Sequence, residues 1–198
     1  MDNNISYSSP QTVQRQIGEY VLVLTNPAFE SSGGENMDLY EHFHVADESR
    51  CPNIFGVNIF LKDRKIASAA IGSAGGSSVL HETAMVMEED RILLCCSDSV
   101  FCLSIPSLAL LWRTKADDAT CFQIFRYKET YIVHGELEIS RLDRSGNILW
   151  QQGGRDIFVT PDGQECCLLA DKHILATDWE YNRYVLDYEN GRIMEDGE

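Results

Sequence analysis

His42-Phe43-His44, with Asp47 close behind, is the first grouping in the chain whose residue types and spacing suit chemistry. On a strand, residues two apart share a face, so both imidazoles point the same way. A His-x-His pair with a carboxylate can ligate a divalent metal, and His81-Glu82 offers a third ligand. The same residues also read as ordinary polar positions of a strand, and no metal site is assigned. Gly72-Ser-Ala-Gly-Gly-Ser-Ser78 is rich in glycine, but no Lys follows and neither phosphate-binding spacing is met, so it reads as a flexible turn or bulge. There is no Gly-x-Ser-x-Gly, and no Cys stands in an obviously basic setting that would favour its thiolate. His134 and His173 fall at equivalent positions beside strands, where register explains them better than catalysis does. The expectation is a protein without a catalytic set, and therefore neither an enzyme nor a holder of a cofactor.

The elements that position these residues follow from a pattern that occurs three times between Arg91 and Met194. Its copies run from Ile92-Leu-Leu94 to Leu103…Trp112, from Tyr131-Ile-Val133 to Leu142…Trp150, and from His173-Ile-Leu175 to Leu186…Met194. The anchors Ile92, Ile132 and Ile174 are 40 and then 42 residues apart. A period of that size marks an array of supersecondary units, with four-stranded propeller blades the main candidates. Each copy gives a buried apolar strand, a polar tip, a second strand ending in Leu, a turn and a last strand. Gly146 and Gly191 sit where the turn needs positive φ, and Pro106-Ser107 serves that turn in the first copy. The runs Val79 to Met87, Cys121 to Tyr127 and Cys166 to Leu169 supply the innermost strands.

Leu142-Asp143…Gly146-Asn-Ile-Leu-Trp150 and Leu186-Asp187…Asn190-Gly191 resemble the Leu-Asp-x-x-x-Gly-x-x-Leu-Trp ending of pyrroloquinoline-quinone-type propeller repeats. Leu103-Ser104…Leu110-Leu111-Trp112 has the same spacing without the Gly, and the third copy lacks its Trp. The resemblance covers residues 91–194 and implies blade architecture. It implies no activity, because such repeats serve cofactor enzymes and plain scaffolds alike. No quinone site follows from about 100 residues of it, too few to close a seven- or eight-bladed ring at roughly 40 to 45 residues per blade.

Ahead of the repeats, Tyr20-Val-Leu-Val-Leu24 reads as a strand, and Ile54–Leu61 with Lys65–Ile71 as a hairpin about Lys62-Asp63-Arg64. Asn26 to Asp38 reads as a long loop, and Tyr40 to Ala46 as a strand carrying the two histidines. The fold expected is all-β, with stacked antiparallel sheets in a propeller-like arrangement. It comprises about three blade-like repeats and a divergent N-terminal sheet within a single domain, 1–198. Residues 1–16 are a loose arm, 17–90 the divergent sheet and 91–198 the repeats.

Composition limits what such a scaffold can meet. Hydrophobic residues at 44% and charged ones at 24% suit a globular core rather than disorder. Seven cysteines without C-x-x-C spacing read as small buried hydrophobes. No apolar run approaches the roughly 20 residues that cross a bilayer, and residues 1–10 lack a secretory pattern, so a cytoplasmic protein is expected. The net charge of −15 repels nucleic acid and anionic membrane and attracts basic protein surfaces. Equivalent tips of stacked blades gather on one rim. There Asp98, Glu136, Asp178, Trp179, Glu180 and Tyr181 place aromatic anchors among acids, although Trp179 also reads as packing on a neighbouring blade. The acidic stretch 30–48 offers a second patch.

The function expected is a non-enzymatic module whose acidic surface binds a basic partner protein, in concrete form an antidote that masks a cationic toxin as immunity proteins do. The alternative is a small-ligand or metal sensor, or an enzyme, built on His42 and His44. An exposed sheet edge, guarded by Glu195-Asp-Gly-Glu198 or paired in a homodimer, completes the expectation.

Overall fold

The structure is a computed structural model and describes residues 11–26, 28, 38–45 and 50–194. Sixteen strands and no α-helix lie among them. The N-terminal sheet contains β1 (Gln11–Ile17), β2 (Tyr20–Asn26), β3 (His42–Val45), β4 (Ile54–Leu61) and β5 (Arg64–Gly72), in the order β1-β2-β4-β5-β3. Alternation in β2 sends Leu22 and Leu24 into the core with no exposed surface. The β4–β5 turn holds Lys62 and Asp63 at φ 49° and 61°, the two positive dihedrals that a tight hairpin matching the sheet twist requires. β3 joins β5 in parallel, His42 opposite Ala69 and His44 opposite Ile71.

Within the arm expected over 1–16, the residues from Gln11 onward belong to β1, which pairs with β2 along its whole length. Its polar face hides it in the sequence: only Val13 and Ile17 reach the core of this edge strand. Residues 1–10, Asp47, most of the 26–38 loop and the C-terminal Glu195–Glu198 lie outside the described residues.

Three antiparallel blades follow. The first is β6 (Met85–Met87), β7 (Arg91–Cys96), β8 (Ser99–Ser104) and β9 (Leu110–Lys115). The second is β10 (Cys121–Tyr127), β11 (Thr130–Gly135), β12 (Glu138–Asp143) and β13 (Ile148–Gly153). The third has β14 (Cys167–Leu169), β15 (His173–Thr177) and β16 (Arg183–Asp187), with a single bridge from Leu186 to Ile193 where a fourth strand would begin. Within the blades Ile92 faces Leu103, Tyr131 faces Leu142 and Ile174 faces Leu186. The counterpart of Ile92 in the second blade is therefore Tyr131, not Ile132, and that single step exchanges the faces of the sheet.

Stacking explains why β7 is apolar without alternation. Ile92, Leu94, Phe101 and Leu103 pack on Leu22, Phe55, Val57 and Ile59 of the N-terminal sheet. From the opposite face Leu93, Cys95, Val100 and Cys102 meet Tyr131, Val133 and Leu142 of the second blade. Ile132 and Ile139 in turn meet Phe158, Ile174, Ala176 and Leu186. Each Leu or Ile so buried contributes about 1.5–3 kcal/mol. No apolar cluster among the described residues joins the third blade to the N-terminal sheet, and Leu168 and Leu175 on its far face stay 46% and 37% exposed.

Five cysteines are buried and Cys51 and Cys166 half-buried, none of them in a disulfide. Among the described residues no helix is long and apolar enough to cross a membrane.

Candidate functional site

In a meander of four strands, the turn between the second and third strands lies at the same end as the linker that crosses to the next blade. That end is built as a ladder of tips and linkers. The Asp98 N–H donates to Ala74 O (3.1 Å), Glu136 N–H to Thr120 O (2.7 Å), and Trp179 N–H to Ile157 O (2.9 Å). Ser97 and Glu136 in turn accept, through their carbonyls, from the N–H groups of Cys121 and Phe158 (both 2.7 Å). The tips do gather on one rim, each held by the linker before it and the first two also by the linker after it.

The six candidate residues divide by direction. Asp98 and Asp178 are 6% and 0% exposed. The Asp98 carboxylate accepts from the Ser73 and Ser99 hydroxyls, with Arg113 at 4.0 Å. Asp178 accepts from Glu180 N–H (3.0 Å), Asn182 N–H (2.9 Å), the Asn182 amide and the Tyr184 hydroxyl (2.6 Å). Burial pushes its pKa up, yet these hydrogen bonds outweigh that effect and hold it below the usual range. Both carboxylates organise their tips from within and offer no charge to a partner. Glu136 is half-buried, and Glu180, Trp179 (45%) and Tyr181 (54%) are exposed, so Trp179 is not folded away onto a neighbouring blade.

Asp117, not among the six candidates, does the same work for the second blade from the preceding linker. Its carboxylate accepts from Ala119, Thr120, Leu137 and Glu138 N–H groups at 2.6–3.0 Å. The signal for it was an Asp two residues after the last strand of the first blade, and an acidic chain conceals that signal. The glycine-rich 72–78 stretch, expected as a flexible turn or bulge, packs closely against the first two blades. Gly75, at φ +112°, packs on Asp98, where a Cβ would stand 2.9 Å from the Asp98 backbone nitrogen. Gly76 N–H donates to Ala119 O at 2.9 Å.

Ion pairs are distributed unequally between the two ends. At the hairpin end, Glu88, Asp90, Glu129 and Glu189 pair with Arg91, Arg126, Lys128, Arg141 and Arg144, while Glu89, Asp143, Asp171 and Asp187 there make no ion pair among the described residues. At the tip end, Glu136, Asp156, Asp162, Glu165 and Glu180 make no ion pair among the described residues, and Lys115 pairs with Asp118.

A cleft of about 380 Å³ opens at the same end, where the inner strand β10 meets the linkers into the first and third blades. Its walls include Phe122, Phe158, His81 and His134, with Thr160, Glu165 and Cys166 on the 158–166 linker. His134 is 4% exposed. Its Nε2 lies 2.9 Å from Phe158 O, and its Nδ1 lies 2.8 Å from the Gln123 side chain. Gln123 reaches Thr83, whose hydroxyl contacts His81 Nδ1 at 3.0 Å. Burial lowers the His134 pKa to about 4, so the ring is neutral at pH 7.

Cys166 Sγ lies 3.5 Å from His134 Nε2, but the pair is not an activated nucleophile. A carbonyl only accepts, so Nε2 carries its proton toward Phe158 O, and the thiol donates to that same oxygen at 3.1 Å. Burial also pushes the thiol pKa up.

His42 and His44 lie elsewhere. Their rings stack at 5.8 Å on the core side of β3, and His42 Nε2 is 3.1 Å from Ser107 O at the opposite end of the first blade. Burial, then the neighbouring His42, lowers the His44 pKa. His81 lines the cleft instead of joining this pair, and no group of three His, Cys, Asp or Glu suited to a metal occurs among the described residues.

No protein-family model and no curated protein matches the chain. Among solved structures it is similar to the computationally designed, propeller-like Ika8 protein, at TM-score 0.50 and 9% identity over 92% of this chain and 59% of that one. The designed Ika4 protein gives TM-score 0.47 and 11% identity over 65% and 81%, and the AfRom2 CNH domain 0.48 and 10% over 98% and 59%. The chain thus spans 59% of the Ika8 protein and of the AfRom2 CNH domain, and what the Ika8 likeness establishes is a propeller-like, all-β fold.

Proposed function

We propose that the chain is a non-enzymatic binding module that engages a basic partner protein through its tip end. One observation carries this reading. Trp179 and Tyr181 stand 45% and 54% exposed on a rim where Glu136 and Glu180 make no ion pair among the described residues, whereas Glu88, Asp90, Glu129 and Glu189 at the hairpin end are paired. Aromatic side chains on a rigid tip contribute large contact area at little entropic cost, and unpaired carboxylates around them steer a cationic surface toward them. Residues Glu136, Trp179, Glu180 and Tyr181 form the surface. Asp98 and Asp178 support it from inside. An inhibitor that masks a cationic toxin is one concrete form of such a module.

The test is affinity capture from native lysate with the wild type and with a Trp179→Ala/Tyr181→Ala variant, at low and at moderate salt. A basic protein retained by the wild type, weakened by salt and lost with the variant supports the reading. Retention that ignores both salt and the variant overturns it.

A further inference from the structure

The cleft beside the tips takes a cationic side chain, we propose: the ammonium of a Lys or the guanidinium of an Arg, presented by the basic partner. This rests on the tip-end reading, since it assigns that partner's chemistry a pocket continuous with the rim.

Three observations lead there. The cleft has no basic wall, because neither Lys nor Arg lines it, and the charged side chain on it is Glu165. Asp162, from the same linker, stands beside the Tyr181 hydroxyl, so the acidic mouth runs into the exposed aromatic tip. The Gln164 side-chain oxygen on the same wall is a further acceptor.

Phe122, half-buried at the cleft, supplies an aromatic ring, which attracts a cation through its quadrupole. The two histidines do not oppose this. Burial lowers both their pKa values, and His134 is neutral at pH 7. Phe158 is fixed in place by the tips themselves, since its N–H bonds Glu136 O while the adjacent Ile157 O accepts from Trp179. A residue bound on the rim is thereby within reach of the pocket.

The experiment titrates the full chain with Nα-acetyl-lysine amide, Nα-acetyl-arginine amide and neutral Nα-acetyl-norleucine amide, following backbone amide and histidine ring signals by NMR. The expected result is a saturable shift confined to His81, Phe122, His134, Phe158 and Cys166 for one or both cationic probes and absent for norleucine. Glu165→Gln should weaken it about threefold, and Phe122→Leu by a similar factor, both without loss of fold. Equal response to norleucine, or no saturable shift with either cation, overturns the assignment. Capture of a basic protein that both variants leave undiminished also overturns it, while the tip-end reading stands. Cation binding in the cleft without any protein capture upholds the pocket and sinks the tip-end reading instead.

Discussion

Trp150 covers Gly191 of the following blade: a Cβ there would stand 2.5 Å from Cε3 of the indole, and the indole Nε1–H donates to Tyr188 O at 2.9 Å. Trp112 repeats the arrangement on Gly146 and Arg144 O, at 2.6 and 3.0 Å. The first copy needs no turn glycine, because no Trp of the N-terminal sheet comes onto it. Each Trp–Gly contact therefore belongs to a pair of blades rather than to one.

Gly191→Ala and Gly146→Ala should each lower stability by about 2 kcal/mol, because φ is +71° and +83° there and the indole leaves no room for a methyl. The check is the urea midpoint, read also in a Trp150→Ala background. If the steric account is right, Gly191→Ala costs less once Trp150 is gone, and additive losses contradict it.

Asp178→Ala and Trp179→Ala should separate folding from binding although they are adjacent. Removing the Asp178 carboxylate leaves Tyr184 and the Glu180 and Asn182 N–H groups without their acceptor, at a cost of about 1–3 kcal/mol in stability. Trp179→Ala and Tyr181→Ala should leave the urea midpoint unchanged within about 0.5 kcal/mol and weaken partner affinity by more than about 1 kcal/mol. Thermal melts beside titration calorimetry distinguish the two, and a destabilised Trp179→Ala would show the indole to be packing after all.

The sequence told most where a residue's type matched its surroundings on both sides. The repeat was visible because Leu103, Leu142 and Leu186 are buried at equivalent positions, and the β4–β5 hairpin because Lys62-Asp63 sits between two apolar runs. β1 was hidden because an edge strand needs only Val13 and Ile17 to hold it. The register of the second blade was ambiguous because Tyr131, Ile132 and Val133 are all buried, so hydrophobicity alone does not say which face each takes. Asp98 and Asp178 were expected outside because they are acids in a turn, and only their hydrogen-bond partners show that they point in. The cleft was unreadable, since His81, Phe122, His134 and Cys166 come together across 85 residues through stacking alone.

His134 makes stability depend on pH. Its pKa is lowered from 6.5 to about 4 in the folded chain, so between those values the unfolded state binds more protons and stability rises with pH. The contribution is present above about pH 6.5 and lost as the pH falls toward 4, by about 3 kcal/mol in all. His81, lowered as well, acts in the same direction. Urea midpoints at pH 7 and pH 5 should therefore differ more for the wild type than for His134→Gln, and an equal slope in the two proteins would show that the ring is not titrating.

Glu88 ties the first two blades together at the hairpin end and should be among the most sensitive charges in the molecule. It is 9% exposed, and its carboxylate meets Arg144 at 3.0 Å, the Tyr131 hydroxyl at 2.9 Å, Arg126 at 3.6 Å and Arg91 at 3.8 Å. Burial, and then the hydrogen bond to Glu88, pushes the Tyr131 pKa up. Glu88→Leu leaves the Tyr131 hydroxyl without its acceptor and takes the shared carboxylate from Arg144, Arg126 and Arg91, and should cost about 3 kcal/mol. Glu88→Gln keeps an acceptor for Tyr131 and should cost about half as much. The exposed pair Lys115–Asp118 provides the control, since Asp118→Ala should change the urea midpoint hardly at all. Equal losses for Glu88→Leu and Asp118→Ala would mean that the hub carries no more than surface charge, and the unequal loss expected here would show that burial, not the number of ion pairs, sets its weight.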